Sequence, residues 1–138
     1  MAIAGTPKKT AYPFSEIFEV TTSGTSSVTF WDIPAGTIIT RVLAKIKVAG
    51  TGSGNLTIGD DDAGNVFVLA GDATAAADVI YGDDTTELGA AFYDSTKKGA
   101  QWKVYTAAGK EMQIDCSAAL TTEATVDVFV FGYRYAED

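Results

Sequence analysis

The segment from Ala124 to Tyr135 constrains the fold more than any other part of the sequence. It has the alternation of a β-strand, whose successive side chains point to opposite faces, and both of its faces are apolar. One face carries Val126, Val128 and Val130, and the other carries Phe129, Phe131, Tyr133 and Tyr135. Such a strand is either central in a two-layer packing or covered by another subunit. Because a small sandwich normally leaves its outer faces wet, we expect a subunit or an overlying loop on the aromatic face.

The rest of the chain predicts short strands separated by turns. Predicted strands cover residues 16–21, 27–33, 38–48, 56–59, 66–70, 89–94, 101–105, 111–116 and 124–135. In the strand 38–48, Leu43 shares a wet face with Arg41, Lys45 and Lys47. Turn signals every eight to twelve residues or so predict an all-β, antiparallel sandwich or jelly-roll-like barrel of about eight to ten strands. Alanines and a capping Asp72 allow at most one short helix within residues 71–80.

The chain of 138 residues has the length of one domain. Residues 1–13 carry small and polar side chains without periodicity, which predicts a flexible N-terminal arm. Such an arm either becomes ordered against a partner or is a frayed terminus, and the sequence leaves both open. Residues 14–138 are predicted to form a single β-sandwich domain.

Charge and hydropathy exclude several classes of partner. The formal net charge is −8, and the basic residues form no cluster longer than a pair, so we expect no nucleic-acid binding. No segment approaches the ~20 apolar residues of a membrane span. The N-terminus lacks the order of charges and apolar residues of a secretory signal, so we expect synthesis in the cytoplasm and no membrane partner.

Catalytic chemistry finds little support in the composition. The chain contains no histidine and one cysteine, Cys116, which excludes Ser-His-Asp and Cys-His sites and an intramolecular disulfide. The carboxylates of residues 60–62 or of residues 83–84 could pair as in a glycosidase. Adjacent carboxylates alternate in direction on an extended chain, however, so a solvated loop is the favoured interpretation. We predict that the protein is not an enzyme and has no cofactor.

One acidic turn is a weak candidate for calcium. Asp60, Asp61, Asp62 and Asn65 supply the oxygen ligands that hard cations prefer. The three acids are adjacent rather than alternate, which departs from the usual calcium-loop spacing. A solvated turn is therefore favoured over a metal site.

Aromatic residues suggest a second kind of site. Trp31, Trp102 and the tyrosines could form a flat platform for a sugar ring, as in carbohydrate-binding modules. Trp31 lies beside Ile33 in a predicted strand, so a place in the core is favoured for it.

Several turn-and-strand signatures resemble a family of virion proteins. The residues that carry the resemblance lie in 30–42, 54–60, 105–114 and 124–135. These stretches are similar to the jelly-roll-like head decoration, or cement, proteins of tailed phages and to related head fibres. The resemblance implies a homotrimer on the outer surface of the capsid, bound to the major capsid protein. It implies no catalytic residues.

We therefore predict a capsid decoration protein that binds the shell as a homo-oligomer and stabilises it. The interface candidates are Phe129, Phe131, Tyr133, Tyr135, Tyr12 and Phe14. A head-fibre or tail-associated protein that reaches a host receptor remains an alternative, as does a carbohydrate-binding β-sandwich module. A small glycosidase is a more distant alternative.

Overall fold

The computed structural model describes residues 10–94, 99–100 and 102–136. This part of the chain contains eleven strands and no helix. The strands are β1 (Ala11–Thr21), β2 (Val28–Ile33), β3 (Thr37–Val48), β4 (Asn55–Asp60), β5 (Val68–Asp72), β6 (Ile80–Tyr81), β7 (Tyr93–Asp94), β8 (Gly99–Ala100), β9 (Lys103–Tyr105), β10 (Lys110–Cys116) and β11 (Thr125–Tyr135).

Nine of these strands form two antiparallel sheets. The large sheet has the order β1-β11-β3-β6, and β9 also pairs with β3. The small sheet has the order β2-β10-β4-β5, and β7 pairs with β8 in a separate two-stranded ribbon. The predicted all-β sandwich is therefore confirmed.

The core lies between the inner faces of the two sheets. Alternate side chains of β11 and β3 point inward from the large sheet and meet side chains of β4 and β10 from the small one. Side chains with less than 2% exposure include Ile33, Ile39, Val42, Ile46, Leu56, Ile58, Phe67, Val68, Met112, Ile114, Val126 and Val128. The valines of β11 are thus core residues, as their alternation predicts.

A glycine follows the three inward valines on β11. Gly132 lies where the register between β11 and β3 shifts after Phe131. A Cβ atom at this position would lie 1.9 Å from the backbone oxygen of Ile38 and 3.0 Å from the ring of Phe14. The close approach of β3 to β11 at this bulge therefore requires a residue without a side chain.

Several boundaries differ from the sequence prediction. The strand predicted at 66–70 lies at Val68–Asp72, and of the strand predicted at 89–94 only Tyr93–Asp94 forms. Strand β1 begins at Ala11, so residues 11–13, which were assigned to the arm, belong to the large sheet; residues 1–9 lie outside the described part. Residues 71–80 contain no helix, which agrees with the expectation of at most one short helix there. The Asp72 carboxylate accepts hydrogen bonds from the backbone N–H (2.8 Å) and the hydroxyl (2.7 Å) of Thr74, and these bonds close a turn.

Candidate interaction surface

The outer face of the large sheet, on the side away from the small sheet, is rich in apolar side chains. The register places Phe129 of β11 between Ile17 of β1 and Leu43 of β3. Further along, Tyr133 of β11 lies opposite Ile38 of β3, and Ile38 lies opposite Val104 of β9. We call the following set the outer patch: Ile17, Ile38, Leu43, Val104, Phe129, Phe131 and Tyr133, together with Trp102, which packs on Tyr133.

Several members of the outer patch are open to solvent. Ile17 is 63% exposed, Trp102 62%, Val104 49% and Tyr133 40%. The ring centroids of Trp102 and Tyr133 lie 6.4 Å apart, and their planes are tilted by 42°. Adjoining large apolar side chains on a surface are a common feature of sites that contact another molecule.

Charged side chains line the patch on the β3 side. Lys47 forms an ion pair with Glu19 of β1, and the hydrogen bond between them raises the pKa of Lys47. Lys45 lies 3.2 Å from Asp78. Arg41 is exposed and lies opposite Phe131. An apolar centre beside a polar border is the usual anatomy of a protein interface.

The four predicted aromatic residues of β11 share this face. Phe129 and Phe131 are half-buried by their neighbours in the sheet, whereas Tyr133 is more exposed. Tyr135, at the end of β11, is half-buried, and its backbone N–H donates a hydrogen bond of 2.9 Å to the Gly36 oxygen.

Phe14 and Tyr12 are on the opposite side of the large sheet. Phe14 points toward the small sheet, where its ring centroid lies 6.0 Å from that of Trp31. The guanidinium carbon of Arg134 lies 4.4 Å from the centre of the Phe14 ring. Tyr12 is 67% exposed at the start of β1, two residues before Phe14 on the same side of the strand. The structure therefore does not bring Phe14 and Tyr12 together with the four aromatics of β11.

The two tryptophans have different environments. Trp31 is half-buried and packs against Phe14 and Phe18, the latter at 5.5 Å between ring centroids. It belongs to the edge of the core, as the sequence favoured. Trp102 is exposed, but its tilt against Tyr133 does not make a single flat platform for a sugar.

Asp60, the first residue of the calcium candidate, is a structural residue. Its side chain is fully buried at the end of β4. One carboxylate oxygen accepts hydrogen bonds from the backbone N–H groups of Asp62 (2.9 Å) and Ala63 (3.1 Å). The other accepts a hydrogen bond of 2.5 Å from the Tyr105 hydroxyl, and the Lys103 ammonium lies 3.8 Å away. The carboxylate thus joins the small sheet to β9 of the large sheet.

The other calcium candidates have separate partners. Asp61 accepts a hydrogen bond from the backbone N–H of Glu111 at 3.0 Å. Asp62 pairs with Lys110 at 2.7 Å, and this hydrogen bond lowers the pKa of Asp62. Asn65 is exposed. The three carboxylates thus have separate partners, and no group of three Asp, Glu, His or Cys side chains that could hold a metal occurs among the residues that the structure describes.

The Tyr105 hydroxyl is held protonated by its surroundings. Burial raises its pKa most, and the hydrogen bond to Asp60 and the negative charges of residues 60–62 raise it further. A phenol kept neutral in this way acts as a donor to Asp60 and not as a base.

Sequence reasoning missed five members of the outer patch as interface residues. Ile17 and Leu43 occur within alternating strands. On its own face of β3, Leu43 lies between Arg41 and Lys45, so these charged neighbours concealed its place in an apolar patch. Ile38 lies in β3, Val104 lies in the short strand β9, and Trp102 immediately precedes β9. No sequence pattern predicts that β9 pairs with β3. Only the alternation of each strand, combined with the strand order, could have found them.

No protein-family model and no curated protein matches the chain. Chains of similar fold occur in solved structures, among them the following two. One is described as "Cyanophage Pam1 capsid asymmetric unit": the TM-score is 0.52 at 17% identity, and the match covers 97% of this chain and 92% of that chain. The other is described as "Acidic stable capsid structure of Helicobacter pylori bacteriophage KHP30": the TM-score is 0.53 at 12% identity, covering 94% of this chain and 99% of that one.

These matches concern the fold along nearly the whole chain. The fold thus resembles that of chains in two phage capsid structures, in line with the resemblance found in the sequence. Separately, none of the described residues forms a helix long and apolar enough to cross a membrane.

Proposed function

We propose that this chain is a non-enzymatic structural protein of a phage particle, and that it serves as a capsid decoration or cement protein. The fold shared with chains of two phage capsid structures supports the virion role. The observation that carries the finer proposal is the outer patch, an apolar surface on a sheet that already has a complete core on its other face. The absence of histidine fits a role in contact rather than catalysis.

The mechanism is the addition of contact area between subunits of the shell. The outer patch packs on the outer surface of the capsid, with the major capsid protein as partner, and Arg41, Lys45 and Lys47 orient it by charge. A contact that buries about 1,000 Å² contributes a gross hydrophobic free energy of about 25 kcal/mol, most of which offsets the loss of freedom on binding. A molecule that bridges neighbouring subunits raises the free energy needed to separate them.

We further propose that the bound form is a homo-oligomer, a trimer as the resemblance implies. Symmetric binding multiplies a modest contact per chain into a strong attachment, because the copies dissociate only together. The mass of the purified protein in solution, compared with the chain mass of 14.4 kDa, tests the copy number.

A shell-binding assay tests the proposal. Wild-type protein should sediment with purified shells that lack it, and it should raise the temperature at which they fall apart. The double variant Phe131→Ser/Tyr133→Ser should lose both effects. Leu69→Ser is the matched control, because Leu69 is an exposed apolar residue (46%) on the small sheet. Wild-type protein that does not bind the shells, or a double variant that binds as well as Leu69→Ser, would contradict the proposal.

Trp102 favours one alternative function, the binding of a host glycan. A fibre or tail protein, or a carbohydrate-binding module, would have this function. Trp102 is 62% exposed, and its ring by itself offers an apolar face with one N–H donor, although it forms no flat platform with Tyr133. Under this alternative, wild-type protein binds immobilised glycans, Trp102→Ala removes that binding, and shells are not protected against heat. Under the decoration proposal, heat protection is retained in the presence of competing free glycans.

A further inference from the structure

Strand β1 is an unusual sheet edge. It lies at the end of the large sheet and pairs with β11 through eleven consecutive residues, without any shift of register. The other edges are interrupted or short: β2 and β5 pair with their neighbours through shifted registers, and β6 has two residues. Bulges and short strands are two of the means by which proteins protect sheet edges from pairing with other chains, beside charged side chains and proline. Strand β1 lacks both.

The backbone groups of β1 point in two directions, which depend on whether the residue number is even or odd. The Thr22 N–H donates a hydrogen bond of 2.9 Å to the Ala124 oxygen, just beyond the end of the ladder. Since hydrogen-bonded positions alternate along an antiparallel pair, the even-numbered residues of β1 bond to β11. The odd-numbered residues, among them Ser15, Ile17 and Glu19, direct their N–H and C=O groups away from the sheet.

Composition agrees with this division. Pro13 has no N–H, and its odd number places the missing donor on the outward side of β1, where β11 loses nothing. The charged residues of β1 are Glu16 and Glu19, and it contains no lysine or arginine. Ile17, at the middle of the outward set, is 63% exposed.

We propose that the β1 edge pairs antiparallel with the β1 edge of a second copy of this chain, about a two-fold axis at Ile17. This register places Ile17 opposite its own counterpart, an apolar pair. It places Glu16 opposite Phe18 and Glu19 opposite Ser15, so no two carboxylates face each other. Moving the axis to Glu16 or to Glu19 would set two like charges directly opposite, which destabilises a strand pair. The edge is therefore complementary to itself in the way that a two-fold contact requires.

The contact joins two large sheets into one continuous sheet. Side chains of the odd residues lie on the outer face, so the outer patches of the two copies become neighbours through Ile17. The contact uses backbone groups at the edge and leaves Tyr133, Trp102 and Val104 free for a shell. It is distinct from any three-fold contact, because a two-fold contact links single chains in pairs, or trimers in pairs, and cannot itself close a trimer.

A proline variant tests the pairing. Ser15→Pro removes an outward N–H, as Pro13 already does two residues earlier, and leaves the bonds to β11 in place. Light-scattering mass at high concentration should give the wild type twice the mass of Ser15→Pro, and Ser15→Ala, which keeps the N–H, should match the wild type. Equal masses for the wild type and a folded Ser15→Pro would overturn the proposal.

Amide hydrogen exchange of the wild type gives a second test that does not depend on how the variant folds. The amides of Ile17 and Glu19 should become slow to exchange as the protein concentration rises. The amides of Glu16 and Phe18, bonded to β11, should be slow at all concentrations and serve as the internal control. Rapid exchange at Ile17 and Glu19 in the associated form would overturn the proposal.

Discussion

The two faces of β11 are both apolar in sequence, but their side chains differ in burial in the structure. Val126, Val128 and Val130 on the inner face are fully buried. On the outer face Phe129 and Phe131 are half-buried, and Tyr133 is 40% exposed. The difference arises because the small sheet covers one face and no described part of the chain forms a second layer over the other. Apolar composition therefore tells where burial is possible, and the opposing layer decides where it occurs.

The comparison separates two uses of the same kind of side chain. Burial of the valines stabilises the folded chain itself, whereas the rings on the outer face remain available to a partner. Substitutions on the inner face should thus act on folding, and those on the outer face should act on association.

Val128→Asp should prevent folding. The carboxylate would enter the space between the two sheets without a partner, at a cost above about 4 kcal/mol, which places it among the most severe substitutions. Circular dichroism and thermal unfolding measure the outcome. Phe129→Ser, one residue further and on the other face, is the matched control and should fold. A folded Val128→Asp variant with unchanged stability would remove the distinction between the faces.

Gly132→Ala should destabilise the protein by about 3 kcal/mol, in the upper range for overpacking. The new Cβ would lie 1.9 Å from the Ile38 oxygen, so the backbone of β3 or β11 must move. Urea unfolding measures the loss. Gly109→Ala is not a suitable control, because Gly109 has a φ of 110°. Ser15→Ala, on the outer face of β1, is a better one, and a loss as small as that of the control would contradict the account of the bulge.

Tyr105→Phe should cost about 1–3 kcal/mol. The change removes the hydroxyl that donates to the buried carboxylate of Asp60 and leaves that oxygen without its nearest partner. Tyr133→Phe removes a hydroxyl from the exposed outer face and should change stability by less than about 0.5 kcal/mol. Urea unfolding measures the free energy of unfolding of both variants. Equal decreases would show that the hydrogen bond between Tyr105 and Asp60 does not stabilise the fold.

Alkaline pH should reveal the same link. The raised pKa of Tyr105 means that the folded protein keeps a proton that the unfolded chain releases near pH 10. Stability from this group is therefore complete below pH 10 and is lost as the pH rises further, with a slope of up to about 1.4 kcal/mol per pH unit. The stability difference between wild type and Tyr105→Phe should shrink above pH 10. A difference that stays constant with pH would contradict the assignment.

Tyr133→Ser should change stability by only about 1 kcal/mol or less, because the ring is already partly in water. Its effect should appear instead in the binding of shells, where the wild type and the variant differ. Thermal unfolding of the free protein, run beside the sedimentation assay, separates the two effects. A large loss of stability would mean that the outer face also supports the fold.

Much of the fold was predictable from alternation and turns. The predicted strands at 38–48, 111–116 and 124–135 correspond closely to β3, β10 and β11, since long alternating strands carry the strongest signal. The start of β1 was not predicted, because residues 11–15 alternate only weakly and contain Pro13. The turn at residues 72–74 was ambiguous, because the same Asp72 that closes it could equally have capped a helix.

The candidate site was predictable only in part. The outward direction of Phe129, Phe131 and Tyr133 follows from the alternation of one strand. The neighbours of these residues in the outer patch depend on which strands adjoin β11, and that order is set by contacts between distant parts of the chain. Phe14 was predicted to lie in the interface, whereas its position on β1 directs it toward Trp31 and the edge of the core.

The place of β11 in the large sheet also has a consequence for how the protein is made. It is the last of the described strands in sequence, yet it lies between β1 and β3 and pairs Tyr135 with Ala11. The strand between β1 and β3 is therefore missing until residue 135 has been translated. The large sheet can form only late in synthesis on the ribosome or soon after release. Such distant pairings are slow to find, and we expect folding within milliseconds to seconds rather than microseconds.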